Sequence, residues 1–340
     1  MDLKNPKTIL VVQIGKIGDM ILTTPLFSGL RKIFPDSIIL SLASSVNKDI
    51  AACHKDIDEV LVFNKNILKN IPILKYTFSK IDLWIDTKDN YSRTGELLLN
   101  VFKPKVSIGF CFENKRKIFD LCLNEFKSGN HASEINISPL YYLNKPNSEV
   151  NSMPTVYIPE SVKNKFAYLN YNEDFIVLIN VSAGDKSRYI NTEVLTEFVR
   201  YVLKEKSFKL IVTGLEKDMD IINFIIKNSG DEKIKFIKTE NIIETSEVVR
   251  RSSIVITPDT SVVHLCSAFN IPVVAVYPDV KWNLEKFYPL SDYSEVIISD
   301  NKVSVENVNA EMLTNAFNKL FDRINSGNAE SRTRVRKEDH

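Results

Sequence analysis

Short runs of aliphatic and β-branched residues alternate along the chain with longer segments whose apolar positions recur at helical spacing. In the first half the runs are Thr8–Gln13 (TILVVQ), Ser37–Leu42, Glu59–Phe63, Lys80–Asp86 and Val106–Phe110. They lack the period-two alternation of a strand with one wet face, so they read as strands covered on both sides by helices, as in a parallel sheet. A Gly-containing turn follows the first run, and a helix then reaches Phe34. Between 124 and 159 the periodicity weakens and Pro139, Pro146, Pro154 and Pro159 accumulate, which marks a boundary region. The alternation then restarts with Asp174–Asn180, Phe208–Thr213, Lys235–Lys238, Ile254–Thr257 and Val273–Tyr277 as strands. Helices fall at about 191–206, 216–228, 243–252 and 261–269.

This pattern predicts an α/β chain of two Rossmann-like doubly wound domains facing each other across a cleft. The expected division is 1–160 and 161–305, then a C-terminal helix over 306–325 packing back on the first domain. Residues 326–340 (SGNAESRTRVRKEDH) are charged and nearly free of apolar side chains, which predicts a disordered tail.

Composition changes this picture little. The 340 residues are 44% hydrophobic and 26% charged, ordinary for a folded protein, and the net charge of +1 gives no field that would favour nucleic acid. Cys53, Cys111, Cys122 and Cys266 are scattered, without metal-site spacing or close pairing, so a reducing compartment is expected. The apolar run ending at Gly15 has no cleavage site, and no stretch has the length of a membrane span. The protein is expected in the cytosol, with room for peripheral contact at a membrane surface.

Candidate chemistry lies at the ends of strands, where doubly wound sheets gather their ligands. In Ile254–Pro278 a buried strand runs into Pro258 and Asp259, and Thr260 and Ser261 begin the next helix, with His264 about one turn in. Asp and Thr can cap a helix, and the same free N–H groups can hold phosphate oxygens. A helix cap with a buried structural histidine would give the same pattern. Asn180–Lys186 (NVSAGDK) follows another strand and offers Ser182, the amides around Gly184 and the cation of Lys186. Thr213–Asp218 (TGLEKD) follows a third, where a carboxylate can meet ribose hydroxyls. Together the three loops suit a nucleotide diphosphate.

In the first half, Gly15-Lys16-Ile17-Gly18-Asp19 falls short of a dinucleotide fingerprint. Its glycines leave room for a ligand and place Asp19 either at the mouth of a cleft or as a helix cap. Thr23 continues the helix start. Asp86-Thr87-Lys88-Asp89-Asn90, with Arg93 nearby, ends another strand and is read as facing the same cleft. Lys115-Arg116-Lys117 reads as a solvated loop. The D-x-D pairs at Asp56/Asp58 and Asp218/Asp220 lack companion His or Cys residues, so no metal and no other cofactor is expected.

Three stretches, IGKIGDMILTTPLFSGLRKIFPDSII, DLWIDTKDN and TPDTSVVHLCSAFNIPVVAVYP, resemble the ADP-heptose:lipopolysaccharide heptosyltransferases, glycosyltransferase family 9, which have the GT-B fold. The resemblance spans nearly the whole chain, from about residue 8 to 320. It implies Asp19 as the base that activates an acceptor hydroxyl. It also implies a donor diphosphate held by Asp259, Thr260, Ser261, His264, Lys186 and Ser182. Asp218, or in second place Glu216, becomes the ribose partner, and the loop of Glu240 and Asn241 holds adenine. Lys16, Thr23, Asn90 and Arg93 fall to the acceptor side. Implied partners are a nucleotide-diphosphate sugar, ADP-heptose by family, and a lipid-linked oligosaccharide reached from the inner face of a bacterial inner membrane. Ser261, Asp89 and Pro278 stand where relatives carry Gly, so the donor side is better supported than the acceptor. An epimerase, a transferase of another nucleotide sugar and a catalytically silent nucleotide-sugar binding module remain as alternatives.

Overall fold

The computed structural model describes residues 5–64, 66–77, 80–111, 118–124, 130–143, 151–169, 175–205, 208–230 and 234–331. The chain divides into two units: Met1–Pro159 with Glu285–Phe287, and Glu160–Leu284 with Tyr288–His340.

The first unit holds β1 (Thr8–Gln13), α1 (Ile17–Ile21), α2 (Thr24–Ile33), β2 (Ile38–Ser44), α3 (Lys48–Ala52), β3 (Glu59–Phe63), β4 (Leu83–Asp86), α4 (Arg93–Phe102), β5 (Val106–Gly109), β6 (Leu121–Cys122) and α5 (Ala132–Leu143). Its strands form one parallel sheet in the order β3-β2-β1-β4-β5-β6. Leu10, Leu40 and Trp84 on adjacent strands are fully buried, which explains why these runs show no polar alternation.

The second unit repeats the plan. It carries α6 (Glu160–Lys165), β7 (Ile176–Asn180), α7 (Thr192–Glu205), β8 (Lys209–Thr213), α8 (Met219–Ser229), β9 (Ile234–Phe236), α9 (Ile242–Arg250), β10 (Ile254–Pro258), α10 (Ser261–Phe269), β11 (Val273–Tyr277), α11 (Lys281–Phe287, whose residues Glu285–Phe287 count with the first unit), β12 (Ser294–Ile298) and α12 (Ala310–Ser331). The sheet order is β12-β11-β10-β7-β8-β9, again parallel. The two-residue β6 and the five-residue β12 extend the two sheets beyond the sequence expectation.

Four expectations are corrected. Residues 124–159 are not merely a boundary, because α5 lies there and packs on α2. Gly29 makes that approach possible, since a Cβ at this position would sit 2.2 Å from Leu140 Cδ1. The final helix, expected on the first domain, belongs to the second unit. Leu313, Phe317 and Leu320 of α12 are buried in the core of the second, where the Phe317 ring lies 5.7 Å from that of Phe198. Ser326–Ser331 continue that helix rather than begin a tail. Cys111 and Cys122 form a disulfide with Cα atoms 5.4 Å apart, because β5 and β6 pair Gly109 with Cys122. Cys53 and Cys266 are free, and the cysteine argument for a reducing compartment loses its basis.

Phe317→Ala is expected to destabilise the second unit by about 3–5 kcal/mol through transfer and cavity terms. Urea denaturation followed by circular dichroism reads this, and a loss below about 1 kcal/mol would contradict the docking of α12. Among the described residues no helix is long and apolar enough to cross a membrane.

Candidate active site

Both sheets reverse their strand order once, between β1 and β4 in the first unit and between β7 and β10 in the second. Helices leave the sheet in opposite directions on the two sides of such a point, opening a crevice at the carboxyl ends of the strands. Asp19 follows β1 and Lys88–Asn90 follow β4. Ser182–Arg188 follow β7 and Asp259–His264 follow β10. Each group of candidate residues therefore lies at the switch point of its own unit.

In the first unit Asp19 is the third residue of α1, and its Oδ2 accepts the Lys16 N–H at 2.9 Å. Gly15 leaves room for this carboxylate, because a Cβ there would stand 2.6 Å from that oxygen unless the Asp19 side chain shifted. The glycine loop is pinned from below by the buried Asn47, whose Nδ2 donates to Gln13 O at 2.9 Å and to Gly15 O at 3.3 Å. Gln13, the polar end of β1, donates through Nε2 to Thr87 Oγ1 at 2.8 Å and Thr23 Oγ1 at 3.1 Å. Thr23 in turn donates to the Asp19 carbonyl at 2.7 Å and accepts from Asn136 Nδ2 at 3.1 Å. Thr23 is fully buried, so it supports the backbone of Asp19 and is not available to an acceptor as the sequence suggested. Burial raises the Asp19 pKa and the nearby Asp89 charge adds to this, against the Lys16 amide and charge, which lower it. Lys16, Asn90 and Arg93 are exposed around the same switch point. Asp89 is ion-paired with Lys286.

Asp86 does not face a crevice. It is buried at the end of β4, with Oδ1 accepting the Lys88 N–H at 3.0 Å, and burial pushes its pKa from the usual 3.8 up to about 6. The folded state thus binds this proton more tightly than the unfolded chain does. The resulting stability is fully present below about pH 3.8 and is lost as pH rises through about 6. Asp86→Asn is expected to raise the unfolding free energy near neutral pH by up to about 3 kcal/mol, and to change nothing at low pH. Melting curves at the two pH values test this, and an equal gain at both would show that the buried charge is not the cause.

In the second unit three strand-end loops are hydrogen-bonded into one surface. Asn180, last residue of β7, donates through Nδ2 to Thr257 Oγ1 at 2.9 Å and to the Ser182 carbonyl at 3.1 Å. Thr260 caps α10, its Oγ1 accepting the Val262 N–H at 3.3 Å and lying 3.2 Å from Thr257 Oγ1. The N–H of Ser261, first residue of α10, is one of the donors that a helix start leaves without an intrahelical acceptor. His264 is buried on the same helix. Lys186 stands exposed in a 3-10 turn capped by Asp185, whose Oδ1 accepts the Ser187 N–H at 2.9 Å.

Not every donor-side candidate is open to a ligand. Asp218 is buried, and its Oδ1 accepts the Tyr189 hydroxyl at 2.7 Å while its Oδ2 accepts the Ser182 hydroxyl and the Leu215 N–H. It therefore ties the β7 and β8 loops together and does not present a carboxylate to ribose. Ser182 spends its one hydroxyl proton on that bond. Glu216, two residues earlier, is exposed, with Lys238 Nζ at 3.3 Å. The Asn241 side chain caps α9 through the Ile243 and Glu244 N–H groups, both at 3.0 Å, while Glu240 is exposed beside it.

Asp259 is buried as well. Its Oδ2 accepts Arg188 Nη1 at 2.8 Å and Asn283 Nδ2 at 2.7 Å. Arg188 and Asn283, like Gln13, Asn47 and Asn180, were not singled out from the sequence. The available signal was a polar residue ending a buried strand, which marks Gln13 and Asn180 but not the other three. The D-x-D pair of Asp56 and Asp58 is structural, held by Ser28 and Arg31. Lys115-Arg116-Lys117 lies outside the described residues.

Two tandem doubly wound units, each with polar groups at its switch point, define a fold of the GT-B class. No protein-family model matches the chain. In sequence it is 22% identical over 319 residues to an Escherichia coli (strain K12) protein with the provisional name lipopolysaccharide heptosyltransferase 4, covering 90% of this chain and 85% of that one. In structure it is similar to a glycosyl transferase family 9 protein from Veillonella parvula DSM 2008, with a TM-score of 0.79, 17% identity, and 94% and 98% of the two chains covered. The E. coli heptosyltransferase WaaC with ADP gives a TM-score of 0.73 at 13% identity, over 92% of this chain and 99% of that one. At these identities the likeness to solved structures shows the fold.

Proposed function

We propose that the chain is an inverting, metal-independent glycosyltransferase that moves a heptose from ADP-heptose to a lipopolysaccharide core or a related glycan. The observation that carries this is the joined surface at the second switch point. The Asn180 bonds and the Asp218 bridge bind the β7, β8 and β10 loops to one another, with the start of α10 and the cation of Lys186 among them. A helix start and a nearby cation suit a diphosphate. The relative solved with ADP supports an adenine nucleotide, and the name of the E. coli relative supports a heptosyl group. Glu216 replaces Asp218 as the residue proposed for ribose, with the Glu240 loop at adenine.

In the proposed reaction the acceptor hydroxyl attacks the anomeric carbon while Asp19 takes its proton. The bond to the diphosphate breaks, and the charge that develops is met by Lys186, His264 and the amides around Ser261. One displacement inverts the anomeric centre. Lys16, Asn90 and Arg93 are the acceptor-side groups, and contact with the membrane face that presents a lipid-linked acceptor is peripheral.

The test is calorimetric titration with ADP, UDP and GDP. The reading expects ADP to bind at least about tenfold more tightly than the others, a difference of about 1.4 kcal/mol. Equal binding of all three would return the reading to a transferase of another nucleotide sugar. Tight ADP binding with no product from any acceptor would favour the silent module.

A further inference from the structure

We infer that Arg188 is a second cationic contact for the donor diphosphate and that Asp259 acts by positioning it. The inference rests on the donor reading above, and it changes the part given to Asp259. A carboxylate is an odd ligand for a diphosphate, since two anions repel unless a cation lies between them. Here that cation is present. Arg188 Nη1 donates to Asp259 Oδ2 at 2.8 Å and to the Asp259 carbonyl at 3.2 Å. The Asp259 carboxylate is buried, and Asn283 Nδ2 braces it from α11 at 2.7 Å.

Both bonds to Asp259 use Nη1, so Nε and Nη2 of the guanidinium remain for another acceptor. The side chain is 29% exposed, against 6% for that of Asp259, so the open part of the pair is the cation. Arg188 also belongs to the same 3-10 turn as Lys186, two residues on, and is tied to the residue just before the cap of α10. A planar guanidinium with donors left over, fixed at one edge, matches phosphate oxygens in a way that a mobile lysine does not.

The experiment titrates ADP into the full-length wild type and the variants Arg188→Gln, Asp259→Asn and the double variant. Arg188→Gln is expected to weaken binding by about 10- to 100-fold, the loss of a charge-assisted contact. Asp259→Asn is expected to weaken it by about tenfold because the guanidinium loses its anchor. In the Arg188→Gln background Asp259→Asn should add nothing. If the single Arg188 variant unfolds because the buried Asp259 carboxylate has lost its cation, the double variant, in which both members of the pair are neutral, carries the same test.

Unchanged binding in folded Arg188→Gln, or in the double variant, would overturn the assignment. A further tenfold loss from Asp259→Asn in the Arg188→Gln background would overturn the positioning role, since Asp259 would then be acting on its own. A wild type that binds no ADP would instead remove the ADP-donor reading, and this assignment with it.

Discussion

Asp19→Asn is expected to lower glycosyl transfer by about 10²- to 10⁴-fold, the usual contribution of a general base, while ADP binding stays within about twofold of wild type. The variant keeps an oxygen where Oδ2 accepts the Lys16 amide, and the glycine loop is also held by Asn47. The loss should therefore fall on the chemical step and not on folding. The pH profile gives an independent readout. A base works only when ionised, so the rate should rise with pH through the Asp19 pKa. Burial and Asp89 place that value above the ordinary aspartate range. The acid limb should vanish in Asp19→Asn. Retention of near-normal turnover would remove Asp19 from the mechanism.

Lys186→Ala is expected to cost about 10²- to 10³-fold in kcat, comparable to deleting one donor from a preorganised anion site. Lys186 is exposed on a turn that Asp185 caps without its help, so the melting temperature should not move. The distinguishing measurement is the split between kcat and KM. Stabilisation of the leaving diphosphate appears in kcat, whereas a cation that only binds the donor raises KM and leaves kcat alone. The second result would transfer the leaving-group role to His264 and the start of α10.

The fold was readable because the central strands of each sheet are buried on both faces, and such strands announce themselves as unbroken apolar runs. Leu83–Ile85 and Ile254–Ile256 are examples with no exposed side chain. Helix docking was less readable. The apolar stripe of Leu313, Phe317 and Leu320 says that α12 must cover something, but the core of either unit would satisfy it. Pro139 concealed α5 because local pattern treats a proline as an interruption, whereas the packing of α2 against α5 sustains a helix through it. The disulfide depends on β5 lying next to β6, a pairing that residue spacing does not reveal.

The candidate site divides along the same line. The positions of Asp19, Lys186, Thr260 and Ser261 were legible because they depend on local geometry, a glycine turn or a helix start following a strand. Asp218, Thr23 and Asp259 were misassigned or incomplete because their roles depend on partners distant in sequence. Tyr189 and Ser182 occupy Asp218, Gln13 and Asn136 hold Thr23, and Arg188 and Asn283 hold Asp259. A polar residue at a strand end marks a switch point. Whether it faces a ligand or braces a neighbour is decided by the fold.

The most direct test of the central claim is mass spectrometry of a lipopolysaccharide core acceptor incubated with ADP-heptose and either the wild type or Asp19→Asn. The account predicts an acceptor heavier by one heptosyl residue and release of ADP with the wild type, and at least about 100-fold less of both with the variant over the same initial period. An acceptor of unchanged mass in the presence of wild-type protein that demonstrably binds ADP-heptose would contradict it.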